Sequence, residues 1–271
     1  MSKLVRMIQR ALLVLGLIAI PAMARHPKTG FLNRTVSVSG TEYRYQVFLP
    51  ADWTNKQKWP VILFLHGSGE RGDDGVAQAQ VGIGSAIRLH PERFPAVVVM
   101  PQCRNGERWT DPDMEAMALA ALDRSMKEFQ GDADQVFLSG LSMGGYGSWD
   151  LAAKYPGRWA AAVIICGGIR RRTDPPISEE DTAKLYAEAA GKIGAKLPIW
   201  VFHGGADGTV PVEESRKMVE ALKALGSKVK YTEYAGVEHN SWDKAYAEPD
   251  LPAWLFAQHL AQHRSGLTSG T

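Results

Sequence analysis

Cysteine is scarce in this 271-residue sequence, which contains only Cys103 and Cys166. The two residues are 63 positions apart and belong to no CxxC pair or cluster of cysteine and histidine, so the sequence predicts no metal site. Two states of the cysteines stay open. An exported protein is able to form a disulfide from them, and two buried free thiols fit the sequence equally well.

Excess positive charge is also lacking. The chain has 31 basic and 29 acidic residues, but three basic residues and no acidic ones lie in the first 24 positions. The remainder is close to neutral, with 28 basic against 29 acidic residues. It contains no basic arm or long basic run, which excludes the usual electrostatic footprint of a nucleic-acid-binding protein. We therefore expect no nucleic acid as the partner.

A long apolar run occurs at positions 11–20, directly after a basic segment. An Ala-Met-Ala sequence follows at 22–24, which is typical of a signal-peptidase site. The pattern predicts a signal peptide over 1–24 and a mature domain over 25–271 that is periplasmic or secreted. A transmembrane anchor is the alternative, but the run is shorter than the roughly 20 residues that span a bilayer, and Pro21 ends it. We expect no membrane association after cleavage.

Short apolar runs alternate with helical patterns along the rest of the chain, and no internal repeat interrupts them. This alternation is typical of the α/β class, with a mostly parallel sheet covered by helices on both faces in a single domain. The predicted strands are Tyr43–Leu49, Val61–Leu65, Val97–Met100, Val136–Ser139, Ala162–Cys166, Ile199–His203 and Val229–Tyr234. The predicted helices are Met114–Phe129, Tyr146–Tyr155, Glu179–Ala190, Glu213–Leu225 and Pro252–His263.

The strongest chemical signal is a GxSxG motif, Gly140-Leu141-Ser142-Met143-Gly144, between a predicted strand and a predicted helix. A nucleophilic serine has to protrude from a tight strand-to-helix turn, and the flanking glycines remove side chains that would collide there. The same turn puts the Met143 N–H at the start of a helix, where it is able to donate to an oxyanion. The motif predicts Ser142 as nucleophile and Met143 as one oxyanion donor.

A candidate acid and base follow in the chain order that this motif requires. His239 lies in a loop directly after the last predicted strand, and Asp207 lies in a loop after the strand before it. A carboxylate at Asp207 is able to fix the tautomer of the imidazole and to stabilise the imidazolium formed when His239 takes the serine proton. The sequence therefore predicts a triad of Ser142, Asp207 and His239, which requires no metal or organic cofactor.

The glycine-rich stretch His66-Gly67-Ser68-Gly69 follows an early central strand. A second oxyanion donor is expected in this position. We assign the Ser68 N–H to that role, with Gly67 as the alternative. His66 is expected to brace the loop rather than to take part in the chemistry.

Several segments together resemble a known family. They are HGSGERG at 66–72, PQC at 101–103, GLSMGGYGSWD at 140–150, ICGG at 165–168, HGGADGTVPV at 203–212 and EHNSWDKAY at 238–246. The resemblance is to bacterial α/β-hydrolases related to feruloyl esterases and polyhydroxybutyrate depolymerase-like esterases, and it runs from about residue 36 to 257. It implies an α/β-hydrolase fold and the same three triad residues.

The resemblance also implies an activity: a serine carboxylic-ester hydrolase acting on small or carbohydrate-linked esters of acetyl, feruloyl or aryl type. A peptidase that resembles the catalytic domain of prolyl oligopeptidases is one alternative, although we expect no additional propeller domain. A catalytically inactive carbohydrate-binding protein on a hydrolase scaffold is the alternative of another class. The intact serine, aspartate and histidine argue against it.

Features around the predicted site allow two interpretations each. Trp109 and Trp242 are candidates for an aromatic wall that binds substrate, and simple packing explains them equally well. The irregular segments 67–84 and 167–178 follow predicted strands, so both are expected at the carboxyl edge of the sheet, where ligands bind. The run Arg170–Arg172 in the second segment is either a charge that attracts an acidic substrate or part of a solvated loop.

Overall fold

The structure is a computed structural model that describes residues 28–264. The predicted signal peptide at 1–24 lies outside these residues. Within the described part of the chain, none of the helices is both long and apolar enough to cross a membrane.

An eight-stranded sheet forms the centre of the molecule. Its strands are β1 Gly30–Val38, β2 Thr41–Leu49, β3 Trp59–Leu65, β4 Val97–Pro101, β5 Gly131–Leu141, β6 Ala161–Ile165, β7 Ile199–Gly204 and β8 Lys230–Tyr234. They are arranged in the order β1-β2-β4-β3-β5-β6-β7-β8. Strand β1 is antiparallel to β2, β2 is antiparallel to β4, and β3 to β8 are parallel. The predicted mostly parallel sheet is confirmed.

Helices cover both faces of this sheet. They are α1 Ile83–Leu89, α2 Pro112–Glu128, α3 Met143–Lys154, α4 Glu179–Ile193, α5 Glu213–Ala224, α6 Trp242–Ala247, α7 Leu251–Phe256 and α8 Leu260–Arg264. Buried residues of α2 to α5 belong to one core, and buried residues of α1, α6, α7 and α8 belong to the other. Strand β3 contributes to both cores in alternation, because successive side chains of a strand point to opposite faces. This explains why the central strands are continuously apolar.

Several parts of the fold differ from the prediction. Helices α1 and α6 were not predicted, because seven and six residues are too few for a helical period to stand out. Strand β1 was not predicted, because it lies at the sheet edge and most of its residues are only half-buried, so it has little apolar signal. The single helix predicted over Pro252–His263 is wrong: α7 ends at Phe256 and α8 starts at Leu260. The Asp134 carboxylate accepts the Ala261 N–H at 2.6 Å and contacts the His259 ring at 2.9 Å, so a tertiary contact sets the new helix start.

A buried hydrogen bond joins the central sheet to the C-terminal part of the chain. The hydroxyl oxygens of Ser139 in β5 and Tyr246 in α6 are 2.7 Å apart, and both residues are 2% exposed. Ser139 lies three residues before Ser142, and Tyr246 lies seven residues after His239. The bond therefore connects the two segments that carry predicted site residues.

Removing one partner of this bond should be measurable. We expect Tyr246→Phe to lower the free energy of unfolding by about 1–2 kcal/mol, since it leaves a buried hydroxyl at Ser139 without its partner. The double variant Ser139→Ala/Tyr246→Phe should lose less than the sum of the single changes. Urea unfolding measures both. The control is Tyr155→Phe, which removes a solvent-exposed hydroxyl bonded to Glu115 and should cost less than the buried change. Strict additivity would contradict the coupling.

Candidate active site

Ser142 stands in a strained turn between β5 and α3. Its backbone has φ 51° and ψ −118°, a conformation that non-glycine residues rarely adopt. The Ser142 N–H donates to the carbonyl of Ile165 in β6 at 2.9 Å, and the Ser142 carbonyl accepts the Tyr146 N–H at 3.1 Å. The turn is thus attached to the neighbouring strand on one side and to its own helix on the other.

The glycines beside Ser142 allow this turn to pack closely. A Cβ at Gly144 would overlap the carbonyl oxygen of Leu65 at the end of β3, and a Cβ at Gly140 would overlap the carbonyl oxygen of Gly144. The prediction that these glycines remove colliding side chains is confirmed. Both clashes are with backbone atoms, which have little room to move.

His239 and Asp207 meet Ser142 at the carboxyl edge of the sheet. Asp207 lies in the loop after β7, and His239 lies in the loop after β8. The distance from His239 Nδ1 to Asp207 Oδ2 is 2.7 Å, and His239 Nε2 is 2.9 Å from Ser142 Oγ. The three side chains predicted from separate loops form one continuous hydrogen-bonded chain.

The Asp207 carboxylate is enclosed by donors. Its side chain is fully buried, and Oδ1 accepts the N–H groups of Thr209 at 2.8 Å and Val210 at 2.9 Å. Burial by itself would raise the pKa of Asp207, but hydrogen bonds from His203, His239 and these two amides hold it well below its usual range. The group is therefore a carboxylate at neutral pH. Sequence reasoning missed His203, although it begins the HGGAD segment that contains Asp207.

The loop after β3 approaches Ser142 from the other side. A Cβ built on Gly67 would be 3.7 Å from the Ser142 Cβ and 3.1 Å from Glu70 Oε2. Burial raises the pKa of Glu70, and a hydrogen bond from the Gly67 N–H acts in the opposite direction. Ser68 is exposed, and its assignment as the second oxyanion donor, with Gly67 as the alternative, stays a prediction.

His66 fastens this loop to the chain that follows β4. Its Nε2 accepts the Cys103 N–H at 2.9 Å, which leaves the proton on Nδ1 to be donated to the Gly67 carbonyl at 2.6 Å. The indole N–H of Trp109 donates to the His66 carbonyl at 2.9 Å. Burial lowers the pKa of His66 to about 4, so the ring is neutral at pH 7. These contacts match the expected bracing role of His66.

The two candidate wall residues have different surroundings. Trp109 is 1% exposed and packs edge-to-face on His66, with ring centroids 4.9 Å apart. Burial therefore removes Trp109 from the expected aromatic wall and makes it a support of the loop. Trp242 is half-buried and stands edge-on to the His239 ring at 5.5 Å. Of the two candidates, Trp242 is therefore the one that lies beside His239.

Both cysteines are free and buried. Burial raises the pKa of each thiol to about 12, which makes thiolate chemistry unfavourable. Among residues 28–264, one group of three side chains is close enough to hold a metal ion: Cys166, Asp207 and His239, whose ligand atoms lie within 4.8 Å of one another. Two of the three are already hydrogen-bonded to each other.

A mostly parallel sheet with a strained serine turn and a Ser-His-Asp chain at its carboxyl edge defines an α/β-hydrolase. Comparison with known proteins narrows this class to a family. The sequence model of the esterase family described as "Putative esterase" matches residues 37–254. The chain belongs to this esterase family.

Individual relatives are moderately similar. A probable carboxylesterase of Oryza sativa subsp. japonica is 26% identical over 205 residues, which cover 68% of this chain and 82% of the rice protein. An uncharacterised secreted protein of Arthroderma benhamiae is 26% identical over 74% of this chain, which spans only 23% of the fungal protein. The crystal structure of a thermostable esterase is 32% identical with a TM-score of 0.71, over 84% of this chain and 63% of that one.

The close contact at Gly144 generates a stability prediction. We expect Gly144→Ala to lower the free energy of unfolding by about 3 kcal/mol, since the added methyl group meets the Leu65 carbonyl. Gly191→Ala within α4 is the matched control, because nothing lies within 4 Å of a Cβ there. It should stabilise the protein by about 0.5–1 kcal/mol. Equal effects in thermal or urea unfolding would contradict the packing argument.

The buried neutral His66 generates a pH prediction. Its pKa is about 4 when folded, against 6.5 as its ordinary value, so the unfolded chain binds a proton between these pH values and the folded chain does not. Stability should therefore fall by up to about 3 kcal/mol as the pH drops from 6.5 to 4. Urea unfolding across this range should show a smaller loss for His66→Asn, while exposed His90→Asn should follow the wild type. Parallel wild-type and His66→Asn curves would refute this.

Proposed function

We propose that this protein is a serine carboxylic-ester hydrolase, with Ser142 as nucleophile, His239 as general base and Asp207 as the orienting acid. The observation that carries the proposal is the hydrogen-bonded chain from Asp207 Oδ2 through the His239 ring to Ser142 Oγ, with distances of 2.7 and 2.9 Å. Membership of an esterase family supports the ester bond as the target.

Acylation follows from this arrangement. Ser142 Oγ attacks the ester carbonyl while His239 Nε2 takes its proton, and Asp207 stabilises the resulting imidazolium. The oxyanion forms beside the N–H groups of Met143, the first residue of α3, and Ser68 in the loop held by His66. His239 then returns the proton to the departing alcohol. The acyl group remains on Ser142.

Deacylation repeats the chemistry with water as the nucleophile. His239 removes a proton from water, the hydroxide attacks the acyl-enzyme, and Ser142 leaves with the proton from His239. The substrates are small or carbohydrate-linked esters of acetyl, feruloyl or aryl type. Half-buried Trp242 beside the base supports contact with a ring in the substrate.

Export completes the proposal. The basic start, apolar run and Ala-Met-Ala site at positions 1–24 indicate a cleaved signal peptide, and one relative is called a secreted protein. The enzyme then works in the periplasm or outside the cell on esters that reach it there.

The test is turnover of an ester panel by wild-type protein and Ser142→Ala. The panel contains p-nitrophenyl acetate, butyrate and octanoate, methyl ferulate and acetylated xylan oligosaccharides. Ser142→Ala should lower kcat/KM by at least about a thousandfold, since it removes the nucleophile. Exposed Ser37→Ala in β1 is the matched control and should retain full activity.

Two outcomes would replace the proposal. Cleavage of a p-nitroanilide with no cleavage of the matching p-nitrophenyl ester would favour the peptidase. Absence of all turnover, together with failure of a fluorophosphonate probe to label folded wild-type protein, would favour an inactive binding protein.

A further inference from the structure

Residues 167–178 lie between β6 and α4 and form the arginine loop, named for Arg170, Arg171 and Arg172. It follows β6 at the carboxyl edge of the sheet, the same edge at which Ser142, Asp207 and His239 meet. Residues on such loops determine what a hydrolase binds, because the sheet beneath them holds the reacting groups.

The arginine loop is held by hydrogen bonds from the elements around the site. Glu214 Oε2 in α5 accepts the N–H groups of Ile169 at 3.1 Å and Arg170 at 2.9 Å. The Tyr146 hydroxyl donates to the Arg170 carbonyl at 2.9 Å. These contacts give the loop a defined path over α3, the helix that begins directly after Ser142.

A third anchor joins the loop to the acid of the triad. The Arg172 guanidinium donates to the Gly208 carbonyl at 2.7 Å, and Gly208 is the residue after Asp207. The guanidinium of Arg170 is directed back to the loop's own Pro175 carbonyl. Arg170 and Arg172 therefore have structural partners of their own.

Arg171 is placed differently. Its guanidinium is 3.2 Å from Thr110 Oγ1 and 6.0 Å from the centre of the Tyr146 ring. Tyr146 lies in the first turn of α3, and its N–H donates to the Ser142 carbonyl at 3.1 Å, so Arg171 lies beside the start of the helix that follows Ser142.

In the described part of the chain, the guanidinium of Arg171 forms no ion pair. Among residues 28–264, no carboxylate oxygen lies within 4.0 Å of its guanidinium, although the side chain is half-buried. The Asp174 carboxylate accepts the backbone N–H of Arg171 at 2.7 Å, and Glu214 is occupied by backbone N–H groups in the same way. The acidic groups of the loop thus stabilise its path, while a guanidinium with several N–H donors bonds to one neutral hydroxyl.

We propose that Arg171 binds a carboxylate of the substrate, so that the enzyme prefers esters that carry a free acidic group. A guanidinium matches a carboxylate through two parallel hydrogen bonds, and partial burial strengthens this pairing relative to bulk water. The acidic group belongs either to the acyl part or to the alcohol part. The inference rests on the proposed ester hydrolysis.

The test uses pairs of esters that differ only in whether the distal acid is free or methylated. For the acyl side, the pair is p-nitrophenyl hydrogen suberate and p-nitrophenyl methyl suberate. For the alcohol side, it is 4-acetoxybenzoate and methyl 4-acetoxybenzoate. The measured quantity is the ratio of kcat/KM for the acidic ester to kcat/KM for the neutral ester, after subtraction of spontaneous hydrolysis.

We expect Arg171→Gln to lower this ratio by about tenfold or more on one of the two sides, and that side identifies the acidic part of the substrate. Arg171→Lys should give an intermediate ratio, since it keeps the charge but loses the planar fork. Arg170→Gln removes the same charge one residue away and should keep the wild-type ratio. The wild-type preference should also weaken as salt concentration rises.

The controls separate failure of the inference from failure of the fold or of the proposed function. Each variant is first labelled with a fluorophosphonate probe and its thermal unfolding midpoint is measured. If wild type hydrolyses the neutral esters but Arg171→Gln has an unchanged ratio in both pairs, the inference is wrong and the ester hydrolase stands. An equal loss for Arg170→Gln would also overturn it, because a general field would then explain the preference. No Ser142-dependent hydrolysis of any ester would reject the proposed function itself.

Discussion

The backbone conformation of Ser142 is the constraint on which the rest of the site depends. A residue with φ 51° and ψ −118° is strained by about 1–3 kcal/mol, and it persists only where its surroundings fix it. Here the fixing contacts are the bond from its N–H to the Ile165 carbonyl and the close approach of Gly144 to the end of β3. Three adjacent parallel strands, β3, β5 and β6, therefore jointly determine the direction of one hydroxyl.

Two histidines near this turn differ in their hydrogen-bond partners, and these partners suit one ring to holding a loop and the other to accepting a proton. His66 is buried between the Cys103 N–H and the Gly67 carbonyl, so it holds a neutral ring and a fixed loop. His239 is 23% exposed and faces a buried carboxylate on one side and the Ser142 hydroxyl on the other. An imidazolium is stabilised by that carboxylate at His239, whereas burial opposes it at His66. In the proposed reaction, His239 is therefore the ring that transfers the proton.

The sequence predicted those parts of the molecule that leave a pattern in it: apolar runs for the buried strands, and a fixed order of residue types for the candidate site. The central strands β3, β4, β6 and β7 were found because their residues are largely apolar. The order of Ser142, Asp207 and His239 in successive loops predicted a cluster that the geometry brings together. Strand β1 and the break before Leu260 were missed, because one depends on edge pairing and the other on Asp134, more than 100 positions away. Neither contact leaves a local pattern.

The direction in which a side chain points is also not visible in the sequence. Trp109 and Trp242 were equivalent candidates for an aromatic wall that binds substrate. The Trp109 indole bonds to His66 in the loop after β3, whereas Trp242 lies beside His239. The three consecutive arginine side chains likewise point to different partners. Two of them bond to backbone carbonyls, and Arg171 turns to Thr110 and the face of Tyr146.

The different partners of the three arginines distinguish this run of like charges from an ordinary solvated loop. A solvated loop would spread its guanidinium groups into water, where each is screened and none is specific. In this loop the carboxylates of Asp174 and Glu214 accept backbone N–H groups. Among residues 28–264, no carboxylate forms an ion pair with the Arg171 guanidinium, which lies beside the helix that starts after Ser142. An uncompensated, half-buried guanidinium is stabilised most by an anion brought from outside. The acids that anchor the loop are thus also what keeps Arg171 available to a substrate.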